Sequence, residues 1–173
     1  MTATVDPLLP LSLLEAVRAV DTPSGEHEAE FVPELRNKRL GLSDTVFAQI
    51  KRYSEAVRRK QRPPFDEAAA LAKLVGRRPD ADDVFREGGR ILARQAYRTI
   101  SPVTRKLMLT LPSLLSRPIA LCHARRITRR YTDGAIRRVG STILLEVAHS
   151  VTLDAAPKLG GCTFYESTLR ELM

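Results

Sequence analysis

Four side chains in this sequence are of the kinds that hold zinc or pair a nucleophile with a base: Cys122, His123, His149 and Cys162. Thiolate and imidazole are the usual zinc ligands, and a thiol at a helix N-terminus beside a histidine is an activated nucleophile. Their spacing supports neither chemistry. Cys122 and His123 are adjacent, so on a helix their side chains diverge by about 100°. There is no CxxC, no HxxxH and no GxSxG turn, and no phosphate-cradling or dinucleotide-binding glycine pattern occurs. Gly160-Gly161, ahead of a helix, offers free amides to a phosphate but serves a tight turn as well. The chain therefore reads as non-enzymatic, with no cofactor and no metal. Its two cysteines read as buried thiols of a reducing compartment.

Cations are the stronger polar signal. The 173 residues carry 28 Lys and Arg against 20 Asp and Glu, a formal net charge of +8. Arg125, Arg126, Arg129 and Arg130 recur at spacings of three and four, and Arg137 and Arg138 follow. Residues that far apart share a helix face. Arg58, Arg59, Lys60 and Arg62 form a second cluster, and Arg77-Arg78 a third. Such surfaces can neutralise phosphates of a nucleic acid. A solvated helix face accounts for them too, and only Tyr131 lies close by to stack on a base. The apolar set Leu107, Leu111, Leu115, Ile119 and Phe164, with Leu114 and Leu121, lines either a ligand pocket, a dimer surface or ordinary core.

The elements that position these residues follow from periodicity and punctuation. One domain is expected at this length. With 5% aromatic residues and no Trp, its core is built from Leu, Val, Ile and Ala. Met1 to Pro10 contains Asp6 and no basic region, so it is no secretory signal. The most apolar run, Val103 to Cys122, is broken by Arg105, Lys106, Pro112, Arg117 and Pro118, too charged for a membrane span. The expected location is cytoplasmic. Helices are predicted over Pro10–Val20, from Ser43 or Asp44 to Arg62, over Phe65–Val75 with Gly76 as a left-handed cap, and from an Asp80 cap to Ile100. Gly88 and Gly89 inside that last helix cost about 1 kcal/mol each, which points to a close backbone approach. Ser101-Pro102 starts a helix to Leu115, and Pro118 another to Tyr131. Ala135–Val139 and Ser141–His149 alternate as two strands about Gly140, and Cys162–Met173 closes as a helix. The fold class expected is α+β: mostly helical, with helices packed on one face of a small antiparallel sheet. Residues 1–42 supply a helix and an extended segment, and 43–173 the main helical domain, together one unit.

Two segments resemble a known family. The run Asp83-Val84-Phe85-Arg86-Glu87-Gly88-Gly89-Arg90-Ile91-Leu92-Ala93 resembles the opening helix of the 4-vinyl reductase-type domain. Gly160-Gly161-Cys162-Thr163-Phe164-Tyr165-Glu166-Ser167-Thr168-Leu169 resembles its closing one. That domain is a relative of the core subunits of TRAPP, the vesicle-tethering complex, and the likeness covers Asp80 to Met173. It implies an α/β-plait-like domain with a hydrophobic pocket, binding small apolar molecules or dimerising. Many relatives carry a further cysteine-bearing strand pair after the last helix, some with zinc. The sequence runs to Met173 without one, so no metal site is carried over. The function expected is non-enzymatic binding of an apolar small molecule or a protein partner through a pocket or dimer surface, as a homodimer. A nucleic-acid-binding or regulatory protein using the arginines, and an adaptor or tethering subunit, stand as alternatives.

Overall fold

The computed structural model describes residues 3–21, 43–140, 142–147, 149–155 and 160–172, without the side chains of 43, 44, 107–109 and 113–117. The loop and extended segment expected within 22–42, the Ser43 or Asp44 cap, and the side chains of Leu107, Leu114 and Leu115 lie outside the described residues. Seven helices and one hairpin are described: α1 (Leu8–Asp21), α2 (Ser43–Arg59), α3 (Phe65–Gly76), α4 (Ala81–Arg98), α5 (Pro102–Thr110), α6 (Ser113–Tyr131), β1 (Gly134–Val139), β2 (Thr142–Val147) and α7 (Gly160–Leu172). The architecture is the mostly helical α+β class, with β1 and β2 antiparallel and β1 lying against α6.

Helix α4 is the centre. It packs against α1 on one side and α7 on the other. Its buried residues, Val84, Phe85, Gly88, Gly89, Leu92, Ala93 and Ala96, recur with helical period. Gly89 explains the glycine pair. A Cβ there would lie 2.0 Å from the Ser167 hydroxyl and 2.2 Å from the Phe164 carbonyl. The Thr168 hydroxyl donates to the Gly89 carbonyl at 3.1 Å, a contact that only a bare backbone permits. Gly88 is looser, with Leu13 and Phe164 at 3.3 Å from its virtual Cβ. Helix α1 buries Leu9, Leu11, Leu13, Leu14, Ala16 and Val17 in the same core as α4, so its helix is an integral layer of the domain.

Four local expectations need correction. Gly76 is buried and ends α3 without a left-handed turn: the Arg77 amide bonds back to Leu74, Arg77 stays right-handed, and Pro79 stops the chain. Asp80 precedes α4 but gives its carboxylate to Arg78 (2.8 Å) rather than to the helix amides. The same guanidinium reaches Asp21 at 3.1 Å, tying the end of α1 to the start of α4. The helix break falls at Leu111-Pro112, and α6 runs through Pro118. Pro118 is the sixth residue of α6, where proline removes one helical hydrogen bond, and the helix continues through it. Both cysteines are exposed, because α6 buries Ala124, Ile127, Thr128 and Tyr131 and α7 buries Gly161, Phe164, Tyr165 and Thr168, the opposite phase. The cap at Ser101 is as expected: its hydroxyl accepts the Thr104 amide at 3.2 Å.

Candidate functional site

Three helices end around one depression, and the residues at those ends are basic. Helix α2 closes by donating the Lys60 amide to Val57 and the Gln61 amide to Ala56. This pairing requires a left-handed residue at Lys60, normally a glycine position, and Lys60 adopts φ 55°. The chain then runs through Arg62 to Pro63, whose carbonyl accepts the Val5 amide at 3.1 Å, while Phe65 donates to Ala3 at 2.8 Å. This seam fixes the α2–α3 linker beside the entry to α1. Asp6 starts α1, its carboxylate accepting the Leu8 amide at 3.0 Å, with Pro7 at the first turn, where a missing N–H costs nothing.

The groove between these segments has a volume of about 1130 Å³. Helix α6 lines it with Arg125, Arg126, Arg129, Arg130 and Tyr131, and Asp133 follows. The α2–α3 linker contributes Val57, Lys60 and Arg62, the end of α4 Gln95, Arg98 and Thr99, and the start of α1 Asp6, Pro7 and Leu8. All seven cations are exposed, whereas Leu8 and Tyr131 are buried at its base. The Arg130 guanidinium lies 5.3 Å from the Tyr131 ring.

Charge is unevenly distributed between this groove and the rest of the surface. Elsewhere Arg52, Arg78, Arg86, Arg90, Arg94, Arg137 and Arg170 each have a carboxylate partner, whereas Lys51, Arg58, Arg59, Lys73, Arg77, Arg105, Lys106 and Arg138 are in no ion pair among the described residues and lie scattered outside the groove. Among the described residues, none of the seven groove cations is in ion-pair contact with a carboxylate. Asp6 and Asp133 leave five positive charges in excess there, out of a net +8 for the whole chain. Helix ends give a partial structural reason. Each C-terminus carries about half a negative charge, and three meet here with the positive start of α1, about −1 in total. That offsets about one cation and leaves an excess of about four.

Burial pushes the Asp6 carboxyl above the ordinary carboxylate range, while the Leu8 amide and the charges of Arg130 and Arg62 pull it back. Lys60 and Asp133 (φ 49°) are the non-glycine residues with positive φ among those described, and both line the groove. Left-handed residues with side chains cost about 1–2 kcal/mol, and such strain concentrates at ligand clamps.

The groove brings together four of the six cations of one sequence cluster and two of the four of another. Arg125, Arg126, Arg129 and Arg130 join Lys60 and Arg62; Arg58 and Arg59 are exposed outside its lining. Arg137 and Arg138 lie on β1: Arg137 pairs with Glu146 at 3.0 Å across the hairpin, and Arg138 donates to the Gly140 carbonyl at 3.0 Å. Arg78 is held between Asp21 and Asp80. Sequence reasoning missed Arg98 and Asp6 as site residues, because each is isolated from the basic clusters and joins them only through packing, and it read Asp133, three residues after Arg130, as part of a turn. Of the apolar set, Phe164 is fully buried, edge-on to Tyr165. Leu111 and Ile119 are half-buried, and none of the three lines the groove. Gly160-Gly161 is the first turn of α7, and a virtual Gly161 Cβ lies 1.8 Å from the Thr152 carbonyl, so close packing against Thr152 requires a glycine there. Among the described residues no three His, Cys, Asp or Glu side chains gather, and no helix is long and apolar enough to cross a membrane. Compared with known proteins, the chain matches no family, no curated protein and no solved structure.

Proposed function

We propose that this protein binds nucleic acid through its phosphate backbone, in the groove formed by α6, the α2–α3 linker, the end of α4 and the start of α1. The observation that carries the reading is the set of seven cations, without carboxylate partners among the described residues, converging from chain positions as distant as Lys60 and Arg130. A single solvated helix face would gather the cations of one element, whereas these come from three. Phosphates placed there would replace the missing carboxylates and release condensed counterions. No residue of the groove has the arrangement of a nucleophile and base, so the reading is binding without chemistry.

The test is a salt titration of binding to nucleic acid. With about five phosphates engaged, the logarithm of the association constant should fall with log salt at a slope of about −3.5 for a single strand or −4.5 for a duplex. Arg125→Gln with Arg129→Gln should weaken binding and lower that slope by about one to two. Failure to bind at low salt, or affinity indifferent to salt, would remove the reading.

A further inference from the structure

We infer that the groove takes an unpaired strand rather than a duplex, an inference that rests on the nucleic-acid reading above. The first reason is shape. The cations are set around a concavity of about 1130 Å³. A duplex is a convex cylinder, read by elements that protrude into a major groove about 12 Å wide. Exposed cations that line such a concavity from three elements can follow the turns of a single flexible phosphodiester chain more closely than the stiff, convex face of a duplex.

The second reason is the carboxylates. Asp6 and Asp133 line the same groove as the cations, where they repel phosphate. One Asp6 oxygen is committed to the Leu8 amide. The remaining carboxylate capacity can only accept hydrogen bonds. Unpaired bases offer amino and imino N–H groups for this, whereas pairing hides most of them in a duplex. The groove thus combines donors for a backbone with acceptors for free base edges.

The third reason limits affinity and selectivity. Tyr131 is 7% exposed, with Arg130 at its ring, so no aromatic platform is open for stacking. Guanidinium planes are the surface left for bases. Binding should be modest, strongly salt-dependent and tolerant of sequence.

The experiment is fluorescence anisotropy with labelled 20-nucleotide single strands of DNA and RNA, a duplex of equal length, and inorganic tripolyphosphate as competitor, at low and moderate salt. The expected result is a single strand bound at least tenfold tighter than the duplex, displaced by tripolyphosphate only at far higher phosphate concentration. Asp133→Asn should narrow that tenfold preference by strengthening duplex binding more than strand binding, with the thermal melt confirming an intact fold. Duplex binding equal to or tighter than strand binding overturns the inference and leaves the nucleic-acid reading standing. Displacement by tripolyphosphate at equal phosphate concentration overturns it in favour of a compact anion. Absence of binding to every nucleic acid at low salt removes both.

Discussion

Lys60 and Asp6 carry opposing demands at single positions. Lys60 holds a glycine conformation at the end of α2 while its side chain lines the groove. Lys60→Gly should therefore raise stability by about 0.5–1 kcal/mol in urea unfolding, because it relieves the left-handed strain. The same change should lower polyanion affinity. A loss of both stability and affinity would show that the strain argument is wrong. Asp6 starts α1 and also places a negative charge among arginines. Because burial raises its pKa in the folded chain, the native state holds this proton more tightly than the unfolded chain does. Its contribution to stability is then greatest below the ordinary carboxylate pKa and declines as pH rises through the raised one. Over the same window the groove gains one positive charge as pH falls. Binding of a phosphodiester strand should tighten as pH falls from neutral towards the ordinary carboxylate range. Asp6→Asn keeps an oxygen for the Leu8 amide, since Asn caps as well as Asp. It should tighten binding at pH 7 by about 1 kcal/mol, roughly fivefold, and flatten the pH profile. A profile unchanged in Asp6→Asn would place the titration elsewhere.

At the scale of elements, the α4–α7 contact is the least forgiving part of the fold. Gly89→Ala would drive a methyl into the Phe164 carbonyl and the Ser167 hydroxyl, and the two helices would have to separate. Overpacking of this kind against backbone should cost about 3 kcal/mol or more. Gly88→Ala meets only side chains at 3.3 Å, and the helix propensity gained, about 1 kcal/mol, should leave it near neutral. Comparable unfolding midpoints for the two variants would contradict this packing. The elements themselves were largely legible, because Leu, Val and Ala at helical spacing state which face is buried. α1, α3, α4 and the hairpin follow that pattern to within a few residues. What misled was punctuation: Gly76 resembles a left-handed cap, and Pro118 resembles a start. Burial decided the first; in the second, α6 carries Pro118 as an interior residue and starts at Ser113. The glycine pair announced a close approach without naming its partner, α7.

The whole molecule concentrates five of its eight excess charges in one groove. Free protein should be stabilised as salt rises from about 0.01 M to 0.15 M, as screening shortens from about 30 Å to 8 Å. A polyanion at one hundred times its dissociation constant should add about 2.7 kcal/mol, or roughly 5–10 °C in melting temperature for a domain of this size. Arg125→Gln with Arg129→Gln should raise low-salt stability and remove much of the polyanion effect. A melt indifferent to both salt and polyanion would argue against a strained cationic groove. The groove was only half legible in the sequence. The α6 arginines declare themselves by spacing, but Arg98 and Asp6 are single charges in unremarkable surroundings. Their meeting is a property of how α1, α4 and α6 cross, which no local pattern encodes.

The seam between residues 3–5 and 63–65 is made of main-chain hydrogen bonds. Main-chain bonds carry no memory of which side chains flank them. The seam can thus persist through generations of substitution at Ala3, Thr4 and Val5 while still holding Lys60 and Arg62 opposite α6. Descendants of this fold could keep the same charged mouth and share little spelling around it. Their kinship would show in where positive charge gathers, and hardly at all in an alignment of letters.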